Sequence, residues 1–153
     1  LKETTFSYLK WKSDIKGTQG YVCPEIIEAE KKINNFMKNQ LELDSFTTEI
    51  PEMPAIKIDF KKADVFSLGI ILFEMVVGIS PFLNASPQDS CYRYFYFKKR
   101  WDQFWKVHPK VKELEAQGLL SKEFKSLFEN IITPYSKNRL TISEIEEHPW
   151  MHM

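Results

Sequence analysis

Cysteine is scarce: Cys23 and Cys91 are the two thiols in 153 residues. Two thiols make no disulfide framework, and no Cys/His spacing fits a zinc site. A reducing, intracellular and cytoplasmic setting is therefore expected. Charge of one sign is not in excess. Lysine plus arginine and aspartate plus glutamate each number 21, and no block of like charge supports nucleic-acid or membrane-surface binding. There is no signal peptide, and no apolar run reaches the roughly 20 residues that span a bilayer. His108, His148 and His152 are isolated and read as surface or cap residues, not metal ligands. No internal repeat or low-complexity segment stands out. What the chain does have is core material, with 43% apolar and 14% aromatic residues. Its length fits one domain or part of one. Leu1 in place of Met is expected of a piece of a longer protein.

The rest is organised around residues 64–78, DVFSLGIILFEMVVG. Apolar side chains cover nearly every direction from Val65 to Val77, with Glu74 the main exception, and a helix apolar all round is expected to be buried all round. Asp64 is placed to cap its first turn. Gly78 can take the left-handed stop conformation, and Pro81 prevents continuation. A buried parallel strand also fits a continuous apolar run, although strands are usually shorter.

In chain order, residues 1–16 are polar with scattered aromatics and read as an exposed loop. Gly17 and Gly20 indicate a tight backbone path, and Pro24 with Glu25 then suits the start of a short helix over 24–31. Residues 34–43 are compatible with helix, and 49–60 read as an extended connection, long for a compact domain. After a loop at 79–92, the stretch 91–107 interleaves rings with basic residues. That pattern can stack on nucleic acid, but Trp101, Phe104 and Trp105 at i, i+3, i+4 favour packing on the core. Ser121 is expected to cap a helix whose Phe124, Leu127, Phe128 and Ile131 share one face, ended by Pro134. Thr141 and Glu144 form a capping box for a last short helix that stops near Pro149.

Three stretches, in order, resemble serine/threonine protein kinases. Gly17-Thr18-x-x-Tyr21-x-Cys23-Pro24-Glu25 resembles the end of their activation segment. Asp64-x-Phe66-Ser67-x-Gly69 followed by Gly78-x-x-Pro81-Phe82 resembles their central helix. Arg139-Leu-Thr-x-x-Glu144 through His148-Pro149-Trp150 resembles their final helix. The span from Tyr92 to Trp150 is most similar to calcium/calmodulin-dependent-type kinases. The implied fold is mainly α: the helical C-terminal lobe of the protein kinase-like fold, built around one buried central helix. Residues 1–25 would be activation segment, about 30–60 an insertion, and 61–150 the helical core.

The resemblance also implies roles. Thr18 would help position the catalytic acid and favour Ser/Thr substrates. Ile15, Gln19 and Val22 would line the pocket for the substrate residue after the phosphoacceptor. Glu74 would contact Tyr21 and meet a basic substrate side chain, although a hydrogen-bonded core acid explains it equally well. Glu25 and Arg139 would form a buried ion pair, Asp64 would hydrogen-bond the backbone of the catalytic loop, and Ile71 and Met75 would anchor an apolar stack reaching the nucleotide. Ser13 is a candidate phosphosite, beside Asp14.

The chain departs from the family by what it lacks. His-Arg-Asp, Asp-Phe-Gly, Val-Ala-Ile-Lys and Gly-x-Gly-x-x-Gly do not occur in it, and phosphoryl transfer needs those parts. The resemblance therefore implies a full-length parent that uses ATP and Mg²⁺ and acts on protein Ser/Thr. This chain would hold the substrate platform, bind neither cofactor tightly, contain no catalytic residue, and partner the N-lobe and catalytic loop of its own protein. The alternative is a kinase-derived module, a pseudokinase, that binds proteins without catalysis.

Overall fold

A computed structural model describes residues 4–6, 17–42, 55–97 and 100–153. The fold is mainly α. Its elements are β1 (Thr4–Phe6), α1 (Pro24–Glu42), β2 (Ile56–Ile58), α2 (Phe60–Val77), α3 (Arg93–Tyr96), α4 (Trp101–Val107), α5 (Pro109–Ala116), α6 (Lys122–Ile131) and α7 (Ile142–Glu146), with 3₁₀ turns at Ser136–Asn138 and Pro149–His152.

Helix α2 is the centre, but it starts earlier than expected. Asp59 is its cap, accepting from the Lys62 N–H at 3.2 Å. Asp64 instead lies inside the helix and is exposed. The apolar run hides this start because the first turn is only partly apolar, yet Ala63 is buried there. The far end is as expected: Gly78 adopts φ 88° and donates to the Glu74 carbonyl, a conformation that costs glycine nothing. Burial on every side is not realised. Leu68, Ile71 and Met75 are 41%, 46% and 78% exposed, forming one stripe at i, i+3, i+7 that no described element covers.

The buried side of α2 carries Phe66, Ile70, Phe73 and Val77. The Phe73 ring lies 4.6 Å from Phe128, 5.9 Å from Phe104 and 5.4 Å from His108, centre to centre. Phe104 and Trp105 are buried here as their spacing predicted. Phe124, Leu127, Phe128 and Ile131 form the inner face of α6, which Ser121 caps through the Phe124 N–H at 3.1 Å. Each such ring contributes about 1.5–3 kcal/mol by leaving water. The capping box at Thr141 and Glu144 is present with both hydrogen bonds.

Helices α2 and α6 touch at Gly69. A Cβ placed there would lie 2.3 Å from Ile131 Cγ2 and 3.1 Å from Ile132 Cγ2. A mid-helix glycine costs about 1 kcal/mol relative to alanine, and close packing of the two helices requires it. Gly69→Ala is expected to lower stability by about 1–3 kcal/mol through overpacking, with Ile131→Ala recovering part of the loss in the double variant. A melting temperature unchanged or raised by Gly69→Ala would contradict this packing.

Two expectations for the N-terminal third are corrected. Helix α1 runs 19 residues, to Glu42, because Ala29 and Ile33 continue its apolar face against Ile56 and Ile58. Part of the expected loop is strand: Thr4–Phe6 pairs antiparallel with Ile56–Ile58, Thr4 opposite Ile58. The alternation of buried Ile56, exposed Lys57 and buried Ile58 is the period-2 pattern of a half-buried strand. Its partner lies some 50 residues away, where no local pattern reaches it.

Candidate functional site: the loop at 17–23 seated on the central helix

The loop is a turn fixed by its own backbone. The Tyr21 N–H donates to the Thr18 carbonyl at 3.1 Å, and Gly20 between them has φ 94°. A positive φ at the third turn position is what glycine supplies. A side chain at Gly17 would run into Val22, 2.6 Å away. The chain then enters α1 at Pro24, with the Cys23 carbonyl accepting from the Ile26 and Ile27 N–H groups. Burial pushes the Cys23 thiol up to about 12, helped by the Glu25 carboxylate, so it stays an inert core group.

Three attachments tie this loop down. The Tyr21 hydroxyl donates to Glu74 Oε2 at 2.7 Å, and that bond, with some burial, holds the phenol above its ordinary range. Ser67 Oγ donates to the Tyr21 carbonyl at 2.9 Å. Glu25, at the loop's exit, accepts two bonds from Arg139 at 2.8 and 3.0 Å. Arg139 is 1% exposed. It also donates to the carbonyls of Lys62 and Thr133 at 2.5 and 3.2 Å and sits 5.0 Å over the Phe66 ring. Four of its five N–H groups are thereby satisfied, and Lys62 Nζ returns a bond to the Arg139 carbonyl.

A groove lies on either side of the loop. One, of about 500 Å³, is lined by Thr18, Tyr21, Cys23, Asp64, Ser67 and Ile71 among others. The second, of about 410 Å³, runs from Gln19 and Val22 along Ile27 to Lys31 and across to Asn84 and Ser86. Thr18, Tyr21, Val22, Asp64 and Ile71 thus meet at the first groove, and Gln19 and Val22 at the second. Met75 lines neither and points to solvent. Ile15 and Ser13 lie outside the described residues. Among the described residues, no group of three His, Cys, Asp or Glu side chains is placed to hold a metal ion.

Ser67 and Asp89 support the site without having been assigned a role in the sequence, and His108, expected as a surface or cap residue, is a cap but is buried. Only Ser67 carried a signal, its place inside the Asp-x-Phe-Ser-x-Gly stretch. Asp89 gathers the 80–92 loop, as its carboxylate accepts from the N–H groups of Leu83, Asn84, Cys91 and Tyr92. His108 is buried. Its Nδ1 caps α5 by accepting from the Val111 N–H, and its Nε2 faces the Ser80 carbonyl at 3.2 Å. Both bonds together need the neutral ring with its proton on Nε2.

Burial lowers the His108 pKa below 6.5, and the sign of the pH effect follows. Well above pH 6.5 the ring is neutral both folded and unfolded, so stability does not change. As pH falls below 6.5 the unfolded chain takes up a proton that the folded ring resists, and stability drops. His108→Asn keeps an acceptor for Val111 and is expected to flatten that slope in urea melts between pH 7 and 5. Equal slopes for both proteins would contradict the assignment.

The protein kinase domain profile matches residues 51–151. Serine/threonine-protein kinase SRK2G of Arabidopsis thaliana is 33% identical over 92 residues, covering 60% of this chain and 24% of that protein. Tribbles homolog 2 of Mus musculus is 36% identical over 138 residues, covering 90% of this chain and 29% of that protein. The chain therefore spans between 24% and 29% of the length of these relatives. With its helical core built around α2 and two-thirds of its length matched by the profile, the chain belongs to the protein kinase domain family.

Proposed function

We propose that this chain is the helical C-terminal, substrate-binding lobe of an ATP-dependent serine/threonine protein kinase of intracellular, cytoplasmic location. The observation that carries the reading is the seating of the 17–23 loop. Tyr21 on Glu74 and Glu25 on Arg139 fix both ends of a turn that presents Thr18 and Gln19 to two grooves. A peptide laid across this turn places its hydroxyl near Thr18 and its next residue against Gln19 and Val22. Glu74, half-buried, keeps its Tyr21 bond while offering a carboxylate to a basic substrate side chain. The exposed stripe Leu68–Ile71–Met75 and the exposed Asp64 give the catalytic loop and apolar stack of the same protein a surface to rest on. The resemblance of 92–150 to calcium/calmodulin-dependent-type kinases remains the proposed subgroup.

ATP and Mg²⁺ belong to the parent enzyme. When bound there, Mg²⁺ would supply charge neutralisation for phosphoryl transfer. The purified 153-residue chain is expected to transfer no phosphate from ATP–Mg²⁺ to a serine peptide, whereas the longer protein that contains it transfers phosphate. Turnover by the chain alone would overturn the division of labour. No turnover by the longer protein would replace it with a non-catalytic protein-binding module.

A further inference from the structure

The second groove continues past the residues that the kinase resemblance explains. Beyond Gln19 and Val22 it follows one face of α1, where Ile27, Glu30 and Lys31 fall at i, i+3, i+4, and its far wall is the loop carrying Asn84 and Ser86. Lys31 reaches across this opening. Its Nζ lies 3.4 Å from Gln88 Oε1, the same oxygen that Ser86 Oγ engages at 2.5 Å. The contact is long, exposed and made to a neutral amide, so it is weak and easily exchanged. Among the ion pairs of the described residues none includes Lys31 or its neighbour Glu30.

We infer that Lys31 is a specificity-determining residue: the groove between α1 and the 84–88 loop takes the substrate segment C-terminal to the phosphoacceptor, and the Lys31 ammonium selects an acidic side chain two or three residues beyond it. The inference rests on the proposed substrate-binding reading and deepens it. An incoming carboxylate exchanges a neutral acceptor for a charged one, and charge-assisted bonds are about twice as strong as neutral ones. Glu30 stands at the same groove but forms no bond across it, so the cation rather than the anion spans the path of the peptide. The long lysine stem also lets the ammonium follow the peptide without moving α1.

The test is a panel of fluorescein-labelled serine peptides, alike except for Glu, Ala or Arg at the second and third positions after serine, titrated with the 153-residue chain by anisotropy. The expected order of affinity is Glu, then Ala, then Arg, with steps of about threefold, the size of an exposed ion pair. Lys31→Glu reverses the order of the Glu and Arg peptides, and Glu30→Gln preserves the order. Equal affinity across the panel, or a preference for Arg, overturns the role of Lys31 and leaves the substrate-binding reading standing. Failure of every peptide to bind overturns both.

Discussion

Arg139→Ala lowers the stability of the fold by on the order of 3–5 kcal/mol, because it strands a carboxylate that, among the described residues, is ion-paired to this guanidinium alone, in a poorly hydrated place. The Glu25 side chain is 18% exposed and that of Arg139 is fully buried. The loss extends beyond the pair. The Lys62 and Thr133 carbonyls lose their guanidinium donors, and the Phe66 ring loses the cation at its face. A domain this size is usually stable by about 5–15 kcal/mol, so the variant is expected to melt on the order of 10 °C lower. Arg139→Lys keeps the charge but not the fork that serves two carboxylate oxygens and two carbonyls, and is expected to recover less than half. Removing both charges, as Glu25→Gln with Arg139→Met, leaves no stranded ion and is expected to cost less than Arg139→Ala alone. Melting temperatures for the four proteins check this. Arg139→Ala equal to wild type would show that the pair contributes nothing.

Asp89→Ala is the second severe lesion, expected to cost about 3 kcal/mol. Each buried N–H left without an acceptor costs about 1–3 kcal/mol, and Asp89 serves four, at 3.1, 3.3, 2.8 and 2.9 Å. Leu83 is exposed and Asn84 half-buried, so their N–H groups regain water. The bond from the Tyr92 N–H is buried and that from the Cys91 N–H part-buried, and Tyr92 is fully buried with its hydroxyl on the Ile132 carbonyl at 2.9 Å. Asp89→Asn is no rescue, since its NH₂ would face two of the same donors. Amide hydrogen exchange reads the effect locally: the Cys91 and Tyr92 amides are expected to lose most of their protection in Asp89→Ala. Unchanged protection there would contradict the hub role.

What was legible in the sequence divides by the range of the interaction. Gly78, Ser121 and the Thr141–Glu144 box act on residues within four positions, and each is where the sequence put it. The aromatic faces of α4 and α6 were legible because helical spacing repeats within a short window. The helix start at Asp59 was misplaced to Asp64 because two acids precede one apolar run, and only packing at Ala63 decides between them. The β1–β2 pairing, the four donors on Asp89 and the reach of His108 to Ser80 join residues with no shared local pattern. Tyr21 and Glu74 are 53 residues apart, and Glu25 and Arg139 are 114 apart. Those contacts were anticipated only from family resemblance, and composition or periodicity carried no trace of them.

The account centres on the 17–23 turn as the place where a substrate peptide lies. The most direct measurement is a ¹H–¹⁵N NMR titration of the 153-residue chain with a serine peptide. Shifts are expected at the amides of Thr18, Gln19, Tyr21 and Val22 and along the Ile27–Lys31 face of α1, with the core amides of α6 unmoved. A titration that leaves 17–23 unchanged, or that moves only residues remote from both grooves, would contradict it.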